Sequence, residues 1–300
     1  MTIMELVERY CIFRVLRPDS QTCYVSSARA LTIRVSPEVE NDIRLITTEM
    51  LLRFRADILK SGSPVSWNTH RNRLRTLFRF AIQDGALSAN PMDRVGLAPV
   101  ADKPRRGIST DVTRLIVSHL ESTKPVDPCA RFWIAVTKLL YYTGMRRRQL
   151  VGLCWGDINF TDRLLTLRAD SSKTRREWDI PLPTDTVADL RWLQRKRLDT
   201  GTLIDPDMPV FDITLVRPTA CPLNGNAITT YYWHLGHKLG VTVSPHRFRH
   251  GVATDIVNKT GNLRIAQDIL GHADVKTTCG YVHPSMPAMR DAMQYITPLG

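Results

Sequence analysis

Ser244-Pro245-His246-Arg247-Phe248-Arg249-His250 reads as the opening of a helix and fixes what the rest of the chain must supply. A serine at the cap accepts a backbone N–H from the first turn. A proline just inside has no N–H to leave unsatisfied and its φ is already helical. On that helix His246, Arg249 and His250 fall at i, i+3 and i+4, so all three project from one face. Two imidazoles beside a guanidinium suit an anion better than a hydrocarbon core, and a phosphate oxygen matches the arginine's fork.

Two other stretches have the same character. Thr143-Gly144-Met145-Arg146-Arg147-Arg148-Gln149-Leu150 places a basic run directly after a helix-ending glycine. Residues 270–283, LGHADVKTTCGYVH, hold His272 and Tyr281. Arginines offer permanently charged donors, histidines donate hydrogen bonds or move protons, and a tyrosine hydroxyl becomes a nucleophile when neighbouring cations lower its pKa. No acidic cluster of metal-ligand type accompanies these motifs, so the natural reading is metal-free phosphoryl chemistry in which arginines stabilise the developing charge. Each residue also has a plainer role when taken singly. Arg146 fits a solvated basic run, Tyr281 a packed aromatic, His272 a residue following a turn, and Lys173 an exposed surface lysine. His246 and His250, with His234, His237, His272 or His283, could also form a zinc site, although the HExxH glutamate and suitably spaced cysteines are missing.

Composition narrows the partner. The 300 residues carry 41 Lys and Arg against 29 Asp and Glu, a formal charge of +12, which favours a polyanion such as nucleic acid. The excess is shared: residues 1–100 hold 14 basic and 10 acidic side chains and the remainder 27 and 19, as expected if both parts grip one polyanion. No apolar run reaches the roughly 18 residues of a spanning helix, and the start, MTIMELVERYC, lacks the basic-then-apolar layout of a secretory signal. The six cysteines are scattered without a CxxC pair, which disfavours a disulfide framework and fits a reducing cytoplasm.

Two domains are expected. Residues 1–96 read as helical. Within Ser66–Asp84, Leu74, Leu77, Phe78, Ala81 and Ile82 form one apolar face, and Arg71, Arg75 and Arg79 make a basic stripe beside it. That stripe is either a solvated face or a row of phosphate contacts. Residues 97–110 combine two prolines, a glycine and a basic cluster without apolar period, and read as a linker. From 111 to 300 the pattern is mixed. Helices at DVTRLIVSHLES and ARFWIAVTKLLYY are followed by a short one near 147–153. Strand-like runs RLLTLRA and EWDIPLP then flank a turn carrying Lys173, and helices follow near 185–198 and 225–239. The fold class is mainly α with a small antiparallel β-sheet.

Taken in order, Thr143-Gly144-Met145-Arg146, Lys173 in a β-turn, His246-x-x-Arg249-His250, and Leu270-Gly271-His272 with Thr277-Thr278 and Tyr281 closely resemble the tyrosine site-specific recombinases, the phage integrase family that includes the Xer recombinases. The motifs span about 110–285, and the leading helical segment is similar to that family's core-binding domain. The resemblance implies a C-shaped clamp on double-stranded DNA. In it Tyr281 is the nucleophile that forms a 3′-phosphotyrosyl link, and Arg146 and Arg249 hold the non-bridging oxygens. His246 and His272 assist proton transfer, and Lys173 protonates the departing 5′-oxygen. His250 is left out of this set. No cofactor is implied.

The resemblance further implies a homo-tetramer on two DNA sites, with a monomeric free form, through a tail containing a short helix near 287–296. The compact layout is Xer-like, with no arm-type DNA-binding domain. An accessory DNA-bending protein or directionality factor belongs to such systems, as does a cytoplasmic, nucleoid-associated location. Arg147, Arg148, Arg175 and Arg176 join the Arg71–Arg79 stripe as candidate phosphate contacts, which position a protein without specifying a sequence. One departure stands out. Gln149 occupies the place where the family usually has an acidic residue; it retains a hydrogen bond but not the charge. A type IB topoisomerase and a non-catalytic DNA-binding protein of the same fold remain alternatives.

Overall fold

The computed structural model describes residues 1–34, 41–101, 107–168, 177–271, 289–290 and 293–295. The chain forms two compact units, Met1–Lys103 and Pro104–Gly300.

The first unit is helical: α1 (Ile3–Phe13), α2 (Pro18–Thr32), α3 (Thr48–Ser61) and α4 (Pro64–Gln83). Local sequence explains the ends. Thr2 and Glu5 form a reciprocal capping box on α1, with the Glu5 amide donating to Thr2 Oγ1 at 3.1 Å and the Thr2 amide to Glu5 Oε2 at 2.9 Å. Ser63 caps α4, whose first residue is Pro64, and Gly85 follows its end at φ +75°. Leu74, Leu77, Phe78 and Ala81 are fully buried with Phe54 and Trp67, each large side chain contributing about 1.5–3 kcal/mol by leaving water. Ile82, expected on that face, is exposed, and Phe80 is buried instead. Ile82 lies at the edge of the apolar stripe, where a small rotation about the helix axis decides burial.

Both ends of the 97–110 stretch are bonded into their units. Asn68 clasps Ala98 through two hydrogen bonds of 2.8 and 2.9 Å, and Trp67 Nε1 donates to the Gly96 carbonyl. In the second unit the Ile108 amide donates to the Arg247 carbonyl at 3.0 Å, and Arg247 Nη2 donates back to the Gly107 carbonyl.

The second unit comprises α5 (Thr110–Thr123), α6 (Ala130–Thr143), α7 (Arg147–Val151), β1 (Ile158–Asn159), β2 (Leu164–Leu167), β3 (Trp178–Pro181), α8 (Thr184–Leu198), α9 (Gly225–Leu239), α10 (Pro245–Thr260) and α11 (Leu263–Leu270). The fold is mainly helical with one small antiparallel sheet. Helix α6 is the axis of this unit: Phe132, Ile134, Val136, Leu139 and Leu140 are fully buried, and α5, α8 and α10 pack around it. The strands run in the order β1-β2-β3, with Leu165 opposite Ile180 and Leu167 opposite Trp178. Leu165, Leu167 and Ile180 point into the core, while Thr166 and Asp179 bond to each other on the other face, the period-two pattern of a sheet with one wet side. Only two strands were legible in sequence; the third, Ile158–Asn159, is two residues long and has no period to read.

Candidate active site

Helix α10 begins as its residues dictate. Ser244 Oγ accepts the Arg247 amide, and Pro245 occupies the first turn. His246, Arg249 and His250 share one face, but to different depths. His246 is exposed at the positively polarised helix start, whereas Arg249 and His250 are 2% and 3% exposed. The two imidazoles meet edge to face, with ring centroids 4.7 Å apart. His250 therefore faces inward.

Arg249 is the organising residue. Its Nη1 donates to the Gly144 carbonyl at 2.9 Å and its Nη2 to the Leu270 carbonyl at 2.6 Å. Both carbonyls belong to helix termini, where backbone acceptors have no intrahelical donor. One guanidinium thus ties the end of α6 to the end of α11. Gly144, at φ +61°, lies so close that a Cβ there would stand 2.7 Å from Leu270 Cδ2 and 3.4 Å from Arg249 Cα. Only glycine satisfies both that backbone conformation and that approach.

Arg146 leaves the same turn two residues later and is partly buried. Its backbone amide donates to Gln149 Oε1 at 2.8 Å, and Gln149 is 1% exposed. Gln149 thus holds the start of α7, and with it the backbone of Arg146, through a neutral bond. The structure accordingly brings Arg146, His246 and Arg249 to one end of the α6–α10–α11 packing.

The other candidates divide. Lys173, Arg175, Arg176, His272, Tyr281 and the threonines at 277 and 278 lie outside the described residues, as does most of the 287–296 tail. Arg147 is committed to α9 through Gly225 O and Thr229 Oγ1. Arg148 is exposed on α7. On α4, Arg71 donates to the Val95 carbonyl at 3.0 Å, and Arg75 pairs with Asp93 at 3.0 Å. Burial and the neighbouring Arg75 lower the Arg71 pKa. Arg79 is exposed.

Three described tyrosines of this unit are poorly suited to nucleophilic attack. The hydrogen bond to Asp185 pushes Tyr142 up to about 12, and burial raises Tyr231 and Tyr232 further. Among the described residues no group of three or more His, Cys, Asp or Glu could hold a metal ion, and no helix is long and apolar enough to cross a membrane.

Sequence reasoning missed Trp178. Its indole N–H donates to the Ile269 carbonyl at 3.2 Å, and its ring covers Gly271, the residue before His272. A tryptophan opening a strand gives no hint of a partner so far along the chain.

The phage integrase family model matches residues 108–287, more than half of the chain and a range within which the six motif positions fall. The chain belongs to the phage integrase family. A putative tyrosine recombinase XerC of Pseudomonas syringae is 29% identical over 98% of this chain, which spans 64% of that relative's length. The fold of the Tn1549 transposon integrase, solved with circular-intermediate DNA, matches with a TM-score of 0.75 at 19% identity over 99% of this chain and all of that one. Lambda integrase, solved as a tetramer bound to a Holliday junction, matches with a TM-score of 0.70 at 19% identity, over 94% of this chain and 78% of that one. At these identities the two structures establish the fold alone.

Proposed function

We propose that this integrase-family chain is a site-specific DNA recombinase that cuts and rejoins duplex DNA through a 3′-phosphotyrosyl intermediate, without metal or ATP. It serves the integration and excision, or the resolution, of a mobile element. The observation that carries the reading is the double anchoring of Arg249, which presents a buried guanidinium beside the turn that bears Arg146. In water-excluded surroundings such a fixed donor needs no reorganisation as charge develops on a phosphorane.

In this mechanism the Tyr281 oxygen attacks phosphorus, forming the O–P bond as the P–O5′ bond breaks. Its proton passes to His246 or His272. Arg146 and Arg249 bind the non-bridging oxygens, and the Lys173 ammonium gives a proton to the leaving 5′-oxygen, which is a poor leaving group without it. The phosphotyrosyl ester keeps the bond energy, so a 5′-hydroxyl from a second site reverses the step and completes the exchange. Gln149 places Arg146 by hydrogen bond where a carboxylate would add charge.

The partner is double-stranded DNA. Residues 1–96 form the core-binding part and 111–300 the catalytic part. Arg79, Arg148, Arg175 and Arg176 reach phosphate, with Arg71, Arg75 and Arg147 at the edge of that contact. The working assembly is a homo-tetramer on two sites, joined through the tail after Tyr281; the tetramer is supported by lambda integrase, solved as a tetramer bound to a Holliday junction. An accessory DNA-bending protein or directionality factor sets the outcome, and a DNA substrate places the protein in the cytoplasm.

The test is covalent trapping. Wild type is incubated with nicked suicide DNA in EDTA, and an SDS-resistant adduct is expected that Tyr281→Phe does not form. An adduct surviving in Tyr281→Phe moves the nucleophile elsewhere. Relaxation of supercoiled DNA without exchange between two sites replaces the recombinase with a topoisomerase.

A further inference from the structure

On α10 a buried histidine lies directly behind an exposed one. His250 is 3% exposed, His246 faces solvent one turn earlier, and their rings meet edge to face at 4.7 Å between centroids and 84° between planes. Residues four apart on a helix stack along one ridge, so the contact follows from the spacing itself.

The backbone that carries His250 is firmly placed. Its neighbours Phe248 and Arg249 are buried, and its carbonyl accepts Thr254 Oγ1 at 2.9 Å. Along the adjacent ridge, residues 247 to 251, runs the Gly107-Ile108 segment, whose Ile108 amide donates to the Arg247 carbonyl at 3.0 Å. The approach is backbone to backbone. A Cβ on Gly107 would stand 2.5 Å from the Gly251 nitrogen and 3.0 Å from the His250 carbonyl carbon, and one on Gly251 would stand 2.7 Å from the Ile108 oxygen. A glycine in the second turn of a helix is a loss of propensity, and here the close approach requires it. His246 sits in the first turn at the surface. A solvent-facing side chain has several staggered rotamers within reach, and a ring packed against it selects among them.

We propose that His250 is a positioning residue: its buried ring is the wall against which the His246 imidazole is held, selecting the rotamer in which His246 meets the phosphate. The inference rests on the recombinase reading and deepens it. At 3% exposure His250 touches no reacting atom and acts only through His246. An edge-to-face ring pair biases its partners by up to about 10-fold, whereas a histidine that moves a proton contributes about 10²–10⁴. Losing the wall therefore costs less than losing His246.

The test is a pair of substitutions in two backgrounds. Single-turnover adduct formation on suicide DNA at saturating concentration is measured for wild type, His250→Phe, His250→Gln, His246→Ala and the double variant His246→Ala with His250→Gln. Each is assayed below its own thermal unfolding. Phenylalanine keeps a ring without nitrogens, and glutamine keeps a polar end without a ring. His250→Gln is expected to slow cleavage by about 10-fold with unchanged DNA affinity, and His250→Phe to stay within about threefold of wild type. His246→Ala should lose about 10²-fold or more, and His250→Gln should add nothing to that loss, because no imidazole remains to be held. A merely structural His250 would slow both backgrounds alike. If His250→Gln folds poorly, His250→Leu, also without a ring, repeats the test. Equal slowing by the ring and ringless variants, no slowing by either, or the same slowing with and without His246 overturns the inference and leaves the recombinase reading intact. Failure of wild type to form an adduct removes that reading, and the inference with it.

Discussion

Arg249 and Arg75 are the same residue type, each on a helix that opens with a serine cap and a proline, yet they are held very differently. Arg249 is 2% exposed and spans two backbone carbonyls at 2.9 and 2.6 Å. Arg75 is 39% exposed on its side chain and pairs with Asp93, itself 55% exposed. The first guanidinium cannot move without loosening the ends of two helices. The second can leave its partner at little cost, because exposed ion pairs are worth about 0–1 kcal/mol. Fixed geometry suits a group that must meet a transition state, and loose geometry suits one that only draws a polyanion toward the surface. On the proposed function, the contrast separates an arginine of catalysis from one of affinity more sharply than charge does.

The largest effect that sharpens this contrast is expected at Arg249. Arg249→Ala leaves two helix-end carbonyls without that donor, destabilising the second unit by about 3 kcal/mol, and removes a transition-state donor worth about 10²–10³ in rate. Calorimetry and single-turnover cleavage read both losses. Next comes Gln149→Ala, which deletes the acceptor for the Arg146 amide and should cost about 1 kcal/mol in unfolding experiments, with slower cleavage and unchanged DNA affinity. Gln149→Glu restores an acceptor and should recover most of the cleavage rate. If Gln149→Ala cleaves at the wild-type rate, the bond to Arg146 is not part of the site.

Smaller still are the changes on α4. Arg79→Ala should weaken binding uniformly across DNA sequences and reduce the salt slope of affinity by about one unit, while stability shifts by less than about 0.5 kcal/mol. The smallest effect is on pH dependence. His70 bonds with buried Ser27, and desolvation, with Arg73 and Arg34 nearby, lowers its pKa below the ordinary histidine value. The unfolded chain therefore takes up this proton at higher pH than the folded one. The contribution of His70 to stability is complete above the unfolded pKa, near about 6.5, and declines as pH falls toward the folded value. Denaturant midpoints measured from pH 7.5 to 5 should show that decline, and His70→Gln should flatten it.

Much of the site was legible because it is encoded locally. Ser244-Pro245 announced α10, the i, i+3, i+4 spacing put His246, Arg249 and His250 on one face, and Gly144 marked the end of α6. Which arginine is buried was not legible, since Arg71, Arg75, Arg146 and Arg249 look alike until their neighbours are known. Two of the three arginines in the α4 stripe turned out to be bonded within their own unit, to Val95 and Asp93. The contact of Trp178 with Gly271 was invisible for the same reason, because it depends on a strand and a helix end meeting through tertiary packing. Ile158–Asn159 escaped notice because two residues carry no periodicity.

The measurement that bears most directly on the contrast is single-turnover cleavage at saturating DNA for Arg249→Lys and Arg79→Ala side by side. Lysine keeps the charge but offers one ammonium where two carbonyls and a phosphate need a fork. The predicted result is a rate lower by about 10² or more for Arg249→Lys, and a wild-type rate for Arg79→Ala once its weaker binding is saturated. A wild-type rate for Arg249→Lys, or a rate for Arg79→Ala that stays low at saturation, would contradict the division between a fixed catalytic arginine and a mobile surface one.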